Sequence, residues 1–437
     1  MSQKNADQLI LLDSGSIAAR IALVVIVLLA VAAAFFAVRW QIGRMLAETA
    51  SPADRNFREI TRLAAGFAPR DPQALWAQAS AERAGFMSNA ASKAETALAE
   101  TIRLSPNDYR YWLDLARTRD QAGDAGAAEA AFQKALELAP NNSFARWLYG
   151  NFSLRNGERE RAFAEFRRVA ENHSSLRQQV FYLAWENLGG DPAQIERAAG
   201  DSPQVRAALT PFYASKGKPD AAVRVWRSLT PEQKEEFKTE GEVASRALYE
   251  KQNYRASLEL LRDLGVEAPE IGQVQNGSFE SEITNSQENF IGWRAQKVKG
   301  VDVTLDAGQR KEAKRSLRLT FNGFSAANLQ VATQYVAAES GARYRLTFWV
   351  KTAELKSAGM PFLEVVDAHT TKALGTSQPF AVGTADWQQK TIEFTVPLDA
   401  EAILIRTSRQ FCGENCPIVG VVWYDEFKLE RLGKSGK

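Results

Sequence analysis

The chain has 437 residues, 54 Lys and Arg against 52 Asp and Glu, and 45% apolar residues, an ordinary balance for a globular chain of several domains. That composition excludes wholesale disorder and fibrous repeats, and near-neutral charge argues against nucleic acid as a ligand. With only two His (His173 and His369) and two Cys (Cys412 and Cys416), a His-based triad, a His-rich metal centre or a multi-Cys zinc module lacks its raw material.

In chain order, a tail over residues 1–20 precedes an uncharged, proline-free run from Ile21 to Val38. Eighteen such residues span about 27 Å as a helix, close to the hydrocarbon core of a bilayer. Trp40 falls where an interfacial aromatic is expected, and Arg20 and Arg39 bracket the run. The run is longer than a signal-peptide core, so an uncleaved single span over 21–38 is expected. Lys4 and Arg20 before it, against Arg39, Arg44 and Arg55 after it, lean weakly toward a cytoplasmic bulk, a rule that long domains escape. Residues 39–68 read as a juxtamembrane linker or helix.

From about 69 to 265 the chain is rich in Ala, Leu, Arg and Glu, good helix formers. It also repeats: Trp112, Leu115, Ala116, Ala128, Phe132, Ala135 and Pro140, shifted by 34, give Arg146, Tyr149, Gly150, Ala162, Phe166, Val169 and Ser174. Small residues stay small and Phe falls on Phe. This resembles the tetratricopeptide repeat, a 34-residue helical hairpin, with departures at Arg119 and Ser153 where an aromatic is usual. The resemblance implies an all-α solenoid that presents a concave groove to a protein partner. By helical spacing from that frame, Arg110, Leu113, Arg117, Trp147 and Asn151 are expected to face the groove, with packing between helices as the other reading of Trp147.

After a linker at 266–273, Val, Thr, Phe and Tyr alternate with polar residues over 274–431, the pattern of an all-β sandwich. In Tyr344 to Lys351 the residues Tyr344, Leu346, Phe348 and Val350 share one face, and Arg345, Trp349 and Lys351 take the other. Asn276-Gly277-Ser278-Phe279-Glu280, Gly292-Trp293, Asp386-Trp387 and Val422 to Leu429, in this order, resemble carbohydrate-binding modules with a galactose-binding-like jelly roll. The resemblance implies a structural calcium at Glu280 and Asp425, hard oxygen ligands suited to that ion; hydrogen bonding at strand ends is the other reading of these carboxylates. No other cofactor is required. A glycan platform is expected at Trp349 with Arg345, Lys351 and Arg406, while Trp293, Trp387 and Trp423 match packing positions. A tail over 432–437 closes the chain.

Cys412 and Cys416 bracket a Gly- and Asn-bearing loop with Pro417 behind it. A disulfide is expected, because a metal site would need two further ligands. An oxidising compartment follows, which outweighs the charge count and places the C-terminal bulk in the periplasm, tethered to a bacterial inner membrane. The fold class is therefore multidomain: one transmembrane helix, an all-α tetratricopeptide-type solenoid and an all-β jelly-roll sandwich. The function expected is that of a non-enzymatic envelope scaffold with a protein partner, a polysaccharide or second subunit on the sandwich, and no nucleic acid, in exopolysaccharide or O-antigen assembly. The alternative is a glycan hydrolase or lyase carrying a binding module.

Overall fold

The computed structural model describes residues 16–84, 90–283, 290–324, 329, 331–413 and 416–432. The expected tails at 1–20 and 432–437 lie largely outside the described residues, as does Lys4. The chain forms two compact units, one of residues Met1–Gly190 with Gln194–Gly200, the other of Asp191–Ala193 with Asp201–Lys437.

The first unit is helical. Helix α1 (Ile17–Thr49) starts on Ser16, whose hydroxyl accepts the Ala19 N–H. It carries the whole apolar run, none of it buried by protein, and continues well beyond it. Then follow α2 (Phe57–Phe67), α3 (Pro72–Arg83), α4 (Ala90–Leu104), α5 (Tyr109–Gln121), α6 (Ala125–Leu138), α7 (Ser143–Arg155), α8 (Arg159–Asn172) and α9 (Ser174–Asn187), with α10 (Pro192–Ala199) at the unit boundary. The packed hairpins α5–α6 and α7–α8 obey the 34-residue frame, and in the packed hairpin α3–α4 the helix α4 keeps it at Ala94 and Leu98 while α3 starts 37 residues before α5. Ala116, Ala128, Phe132 and Ala135, and their equivalents Ala162, Phe166 and Val169, are all buried. Gly123 and Gly157 hold positive φ in the turns within hairpins, which an L side chain resists. Where the frame departs from an aromatic, Arg119 instead pairs with Glu95 (2.9 Å), and Ser153 is fully buried.

The second unit opens with α11 (Pro203–Ser215), α12 (Pro219–Arg227), α13 (Pro231–Glu236), α14 (Lys238–Glu250) and α15 (Tyr254–Asp263). Ten strands follow: β1 (Arg294–Ala295), β2 (Val301–Asp306), β3 (Ser316–Phe324), β4 (Ala332–Ala337), β5 (Arg343–Ser357), β6 (Pro361–Asp367), β7 (Ala373–Thr376), β8 (Gly383–Thr395), β9 (Ala402–Arg409) and β10 (Pro417–Arg431). They form two antiparallel sheets, ordered β1-β4-β9-β6-β7 and β2-β3-β10-β5-β8. The core lies between them. Phe348 stacks on Phe427 (5.2 Å between centroids, 12° between planes), and Trp293 packs edge-on against the same ring (4.9 Å).

The segment at 266–273 is no free tether. Tyr249, Tyr254, Leu258 and Leu261 of α14 and α15 share an apolar cluster with Ile291, Ala337, Ala368 and Ala402, and the Gly272 N–H donates to Ala337 O (2.7 Å). Arg294 lies over the rings of Tyr249 and Tyr335. Helices α14 and α15 therefore fold as part of the sandwich unit.

Candidate functional site

On β5 the alternation is as read from the sequence: Tyr344, Leu346, Phe348 and Val350 are buried, while Arg345, Trp349 and Lys351 are partly exposed on the outer face. The neighbouring strands complete that face. Trp349 pairs with Gln389 of β8 and with Asp425 of β10, and Lys351 pairs with Trp423. Arg345 Nη2 and Arg343 Nη2 both reach Glu393 (2.7 and 2.6 Å). Their hydrogen bonds hold the Glu393 carboxyl below its usual range, Arg345 contributing more. Lys351 Nζ donates to Asp386 Oδ1 (3.1 Å); Asp386 is lowered first by the Trp387 backbone N–H and then by Lys351.

Two expectations fail here. Arg406 does not join Trp349: it sits on β9, in the other sheet, where its Nε donates to Glu364 (2.6 Å). Strand phase showed that it points away from the core, yet the sandwich has two outer faces and phase alone does not say which. Trp387, read as a packing residue, is instead partly exposed on β8, and alternation puts it on the face of Gln389 and Trp349. Trp293 and Trp423 are buried as expected; Trp423 Nε1 donates to Asp306 Oδ2 (2.9 Å).

The loop between β2 and β3 folds over this face. Asp425 Oδ2 accepts the N–H groups of Lys311 (2.8 Å) and Glu312 (3.4 Å), and its Oδ1 accepts that of Glu426 (2.8 Å). Glu280 Oε1 accepts those of Lys314 and Arg315 (both 2.9 Å). Burial raises the Asp425 carboxyl, against those three donors, whereas the Lys314 and Arg315 N–H groups lower Glu280. This donor set does not fit a calcium ion. The two carboxylates point at N–H groups of one loop, whose positive dipole ends repel a cation, and among the described residues no three His, Cys, Asp or Glu gather to hold a metal. The pair pins the loop, and the loop delivers Lys311 Nζ to 4.2 Å from the Trp349 ring centroid.

In the repeats, Asp114 of α5 is the hub. Its Oδ2 accepts the Trp76 indole N–H (2.7 Å), and Oδ1 meets Arg117 (2.9 Å) and Arg83 (3.3 Å). Burial lowers the Arg83 guanidinium, and Asp114 opposes that shift. Arg117 and Asn151 are equivalent under the 34-residue shift on α5 and α7, whereas Arg83, on a helix that starts 37 residues before α5, reaches Asp114 from outside that frame. Arg110 pairs with Asp108 and lies over the Trp76 ring (5.1 Å). Trp147 packs on Phe166 (5.3 Å between centroids), and Asn151 Nδ2 donates back to Trp147 O. Leu113 is a correction: at 5% exposure it belongs to the hairpin core with Ala79 and Leu98, because it lies one position off the groove-facing row. Trp76, Arg83 and Asp114 were missed from sequence, because α3 starts 37 rather than 34 residues before α5 and so leaves the repeat frame. Cys412 and Cys416 are disulfide-bonded (Cα–Cα 5.4 Å).

Residues 109–142 match the tetratricopeptide repeat family. Among curated proteins none matches the sequence. Of solved structures, the chain is similar to one described as CBM4 structure and function, with 18% identity and TM-score 0.29 over 36% of this chain and 99% of that one. It is also similar to the C-terminal family 22 carbohydrate-binding module of Clostridium thermocellum Xyn10B, with 15% identity and TM-score 0.27 over 39% of this chain and all of that one. MamA of AMB-1 is similar at 18% identity and TM-score 0.23, over 26% of this chain and 66% of that one. An apolar helix, tetratricopeptide-type hairpins with a family match at 109–142, and a jelly-roll-like sandwich thus make up the described chain.

Proposed function

We propose that this protein is a non-catalytic adaptor of the bacterial envelope, tethered by α1 to the inner membrane with its bulk in the periplasm. The repeats dock a protein partner, and the outer face of the β5-bearing sheet contacts a glycan chain or a second subunit. Exopolysaccharide or O-antigen assembly is the setting that this combination suits. The observation that carries the glycan reading is one sheet face with two partly exposed indoles, Trp349 and Trp387, beside polar heads fixed by the Arg345–Glu393 and Lys351–Asp386 pairs. Rings supply stacking area and the fixed heads supply hydrogen bonds without further ordering. Stacking on Trp349 requires Lys311 to swing aside, at about 0.5–1 kcal/mol for an exposed cation–π contact.

Retention of α1 is supported by its far end: Gly43 and Ala47 are buried against later helices, an odd use for a leader that is cut away. The Cys412–Cys416 bond supports an oxidising compartment. Photo-crosslinking from intact membranes tests the whole reading. A photo-reactive group at Arg117 should capture a protein, and one at Lys351 a polysaccharide; exchange of the two outcomes, or capture of nothing at either position, contradicts it.

A further inference from the structure

The span does not end in a free linker. Past Val38, α1 continues to Thr49, and α2 returns alongside it. A Cβ on Gly43 would lie 2.7 Å from Ala64 O and 2.7 Å from Ala68 Cβ, so the two helices touch at backbone distance. Ala47, Ala64, Ala68, Ala74 and Ala77 extend this seam into α3, and Arg39 Nη2 donates to Gly66 O (2.8 Å). Small side chains allow that approach and leave no room for slippage.

The seam fixes height. Gly43 lies five residues past the end of the apolar run, about 7–8 Å above it at 1.5 Å per residue. The headgroup layer adds about 5–7 Å to each side of the hydrocarbon core. The end of α2, from Ala64 to Ala68, lies against the α1 stretch from Arg39 to Gly43, about 2–8 Å past the run and so from within that layer to its outer edge. Their chemistry matches it. Phe67 (39% exposed) and Leu63 (52% exposed), four residues apart, share one flank of α2, and Trp40 of α1 is exposed as well. Pro69 and the guanidinium-bearing Arg62 and Arg70, close to them in sequence, are exposed too. Apolar rings and aliphatic side chains ringed by Arg are what an interfacial surface presents to acyl chains and phosphates.

We infer that the α2 tip, Leu63 to Arg70, is a second membrane contact: it seats in the headgroup layer beside the span and fixes the first repeat hairpins against the bilayer. This rests on the reading of α1 as a span, and its occupant is a lipid surface rather than a protein. With the seam rigid, α1 and the tip act as one two-point mount, which a single helix on a flexible tether cannot provide.

Because both native cysteines are bonded to each other, one introduced cysteine gives a unique label on the full chain. Phe67→Cys, Val31→Cys and Ala53→Cys are labelled with an environment-sensitive dye in vesicles of phosphatidylethanolamine and phosphatidylglycerol. Nitroxide lipids labelled near the headgroup or deep in the tail, and aqueous iodide, serve as quenchers. Dye at 67 is expected to be quenched by the shallow nitroxide and to lose most of its iodide quenching relative to dye at 53, with dye at 31 quenched by the deep nitroxide. Dye at 31 open to iodide would overturn the span itself. Dye at 31 deep but dye at 67 as open as dye at 53 would overturn the tip contact and leave the span standing. Leu63→Cys repeats the measurement without touching Phe67, so a local disturbance by one substitution cannot decide the result.

Discussion

Adjacent residues of β5, Phe348 and Trp349, face opposite sides of the same sheet, so truncating each to alanine separates a core role from a surface role. Phe348 has no exposed area and touches Phe427, Phe380 and Tyr424. Removing a buried phenyl ring costs about 3–5 kcal/mol in lost transfer energy and cavity. Loss of the stacked Phe427 partner is part of the reason to expect the upper half of that range, since aromatic pairs add about 0.5–1.5 kcal/mol. Trp349 is partly exposed, and its specific partner is the Lys311 ammonium; that contact is worth about 0.5–1 kcal/mol. Trp349→Ala should therefore cost about 1 kcal/mol, a third or less of Phe348→Ala, on the scale of ordinary surface changes. Guanidinium unfolding of the detergent-solubilised full chain, followed by tyrosine and tryptophan emission, reads both, with the sandwich transition assigned by its loss in Phe348→Ala. Equal destabilisation by the two variants would mean that the indole is a core group and that the outer-face assignment is wrong.

Ala128→Leu should destabilise the helical unit by about 1–3 kcal/mol through overpacking of a closed helix crossing, read as a lower unfolding midpoint of that unit; an unchanged midpoint would break the repeat frame. Acid titration should show the Glu280 contribution being lost at low pH. Its folded-state pKa is depressed, so its contribution is present above the ordinary glutamate value and fades as pH falls through the folded value, and Glu280→Gln should flatten that acid-side loss in the melting curve. Asp425 has the opposite sign: its raised pKa means that stability declines as pH rises from the ordinary aspartate value through the folded one, a slope that Asp425→Asn should remove. A periplasmic reporter fused after Lys437 should be active, and maleimide should find no free thiol in protein unfolded directly from membranes; a silent reporter with two free thiols would reverse the orientation.

What the sequence made legible was whatever depends on local period. The 34-residue shift located the buried Ala128–Phe132 and Ala162–Phe166 positions, and period two in Tyr344 to Val350 assigned the core face of β5 correctly. What it hid depends on partners remote in the chain. Arg406 and Trp349 share an outward phase but not a sheet. Glu280 and Asp425 do meet a common partner, yet that partner is a row of backbone N–H groups, which no side-chain pattern announces. The change of composition near 268 marks a change of secondary structure, while the packing of Tyr249 and Tyr254 on the sandwich crosses it. Likewise Gly43 and Ala47 look like a helix tail in the sequence, and their role in the α1–α2 seam is visible only when α2 is placed beside them.

The most direct measurement of the central claim is retention of the full chain on immobilised envelope polysaccharide, compared with Trp349→Ala, Trp387→Ala and the double variant. The account predicts that the wild type is retarded, that each single variant loses much of the retardation and the double variant nearly all of it, with unfolding midpoints held within about 1 kcal/mol of wild type. A wild type that passes unretarded, or a double variant retained as strongly as the wild type, would contradict a glycan-contacting face built on these two indoles.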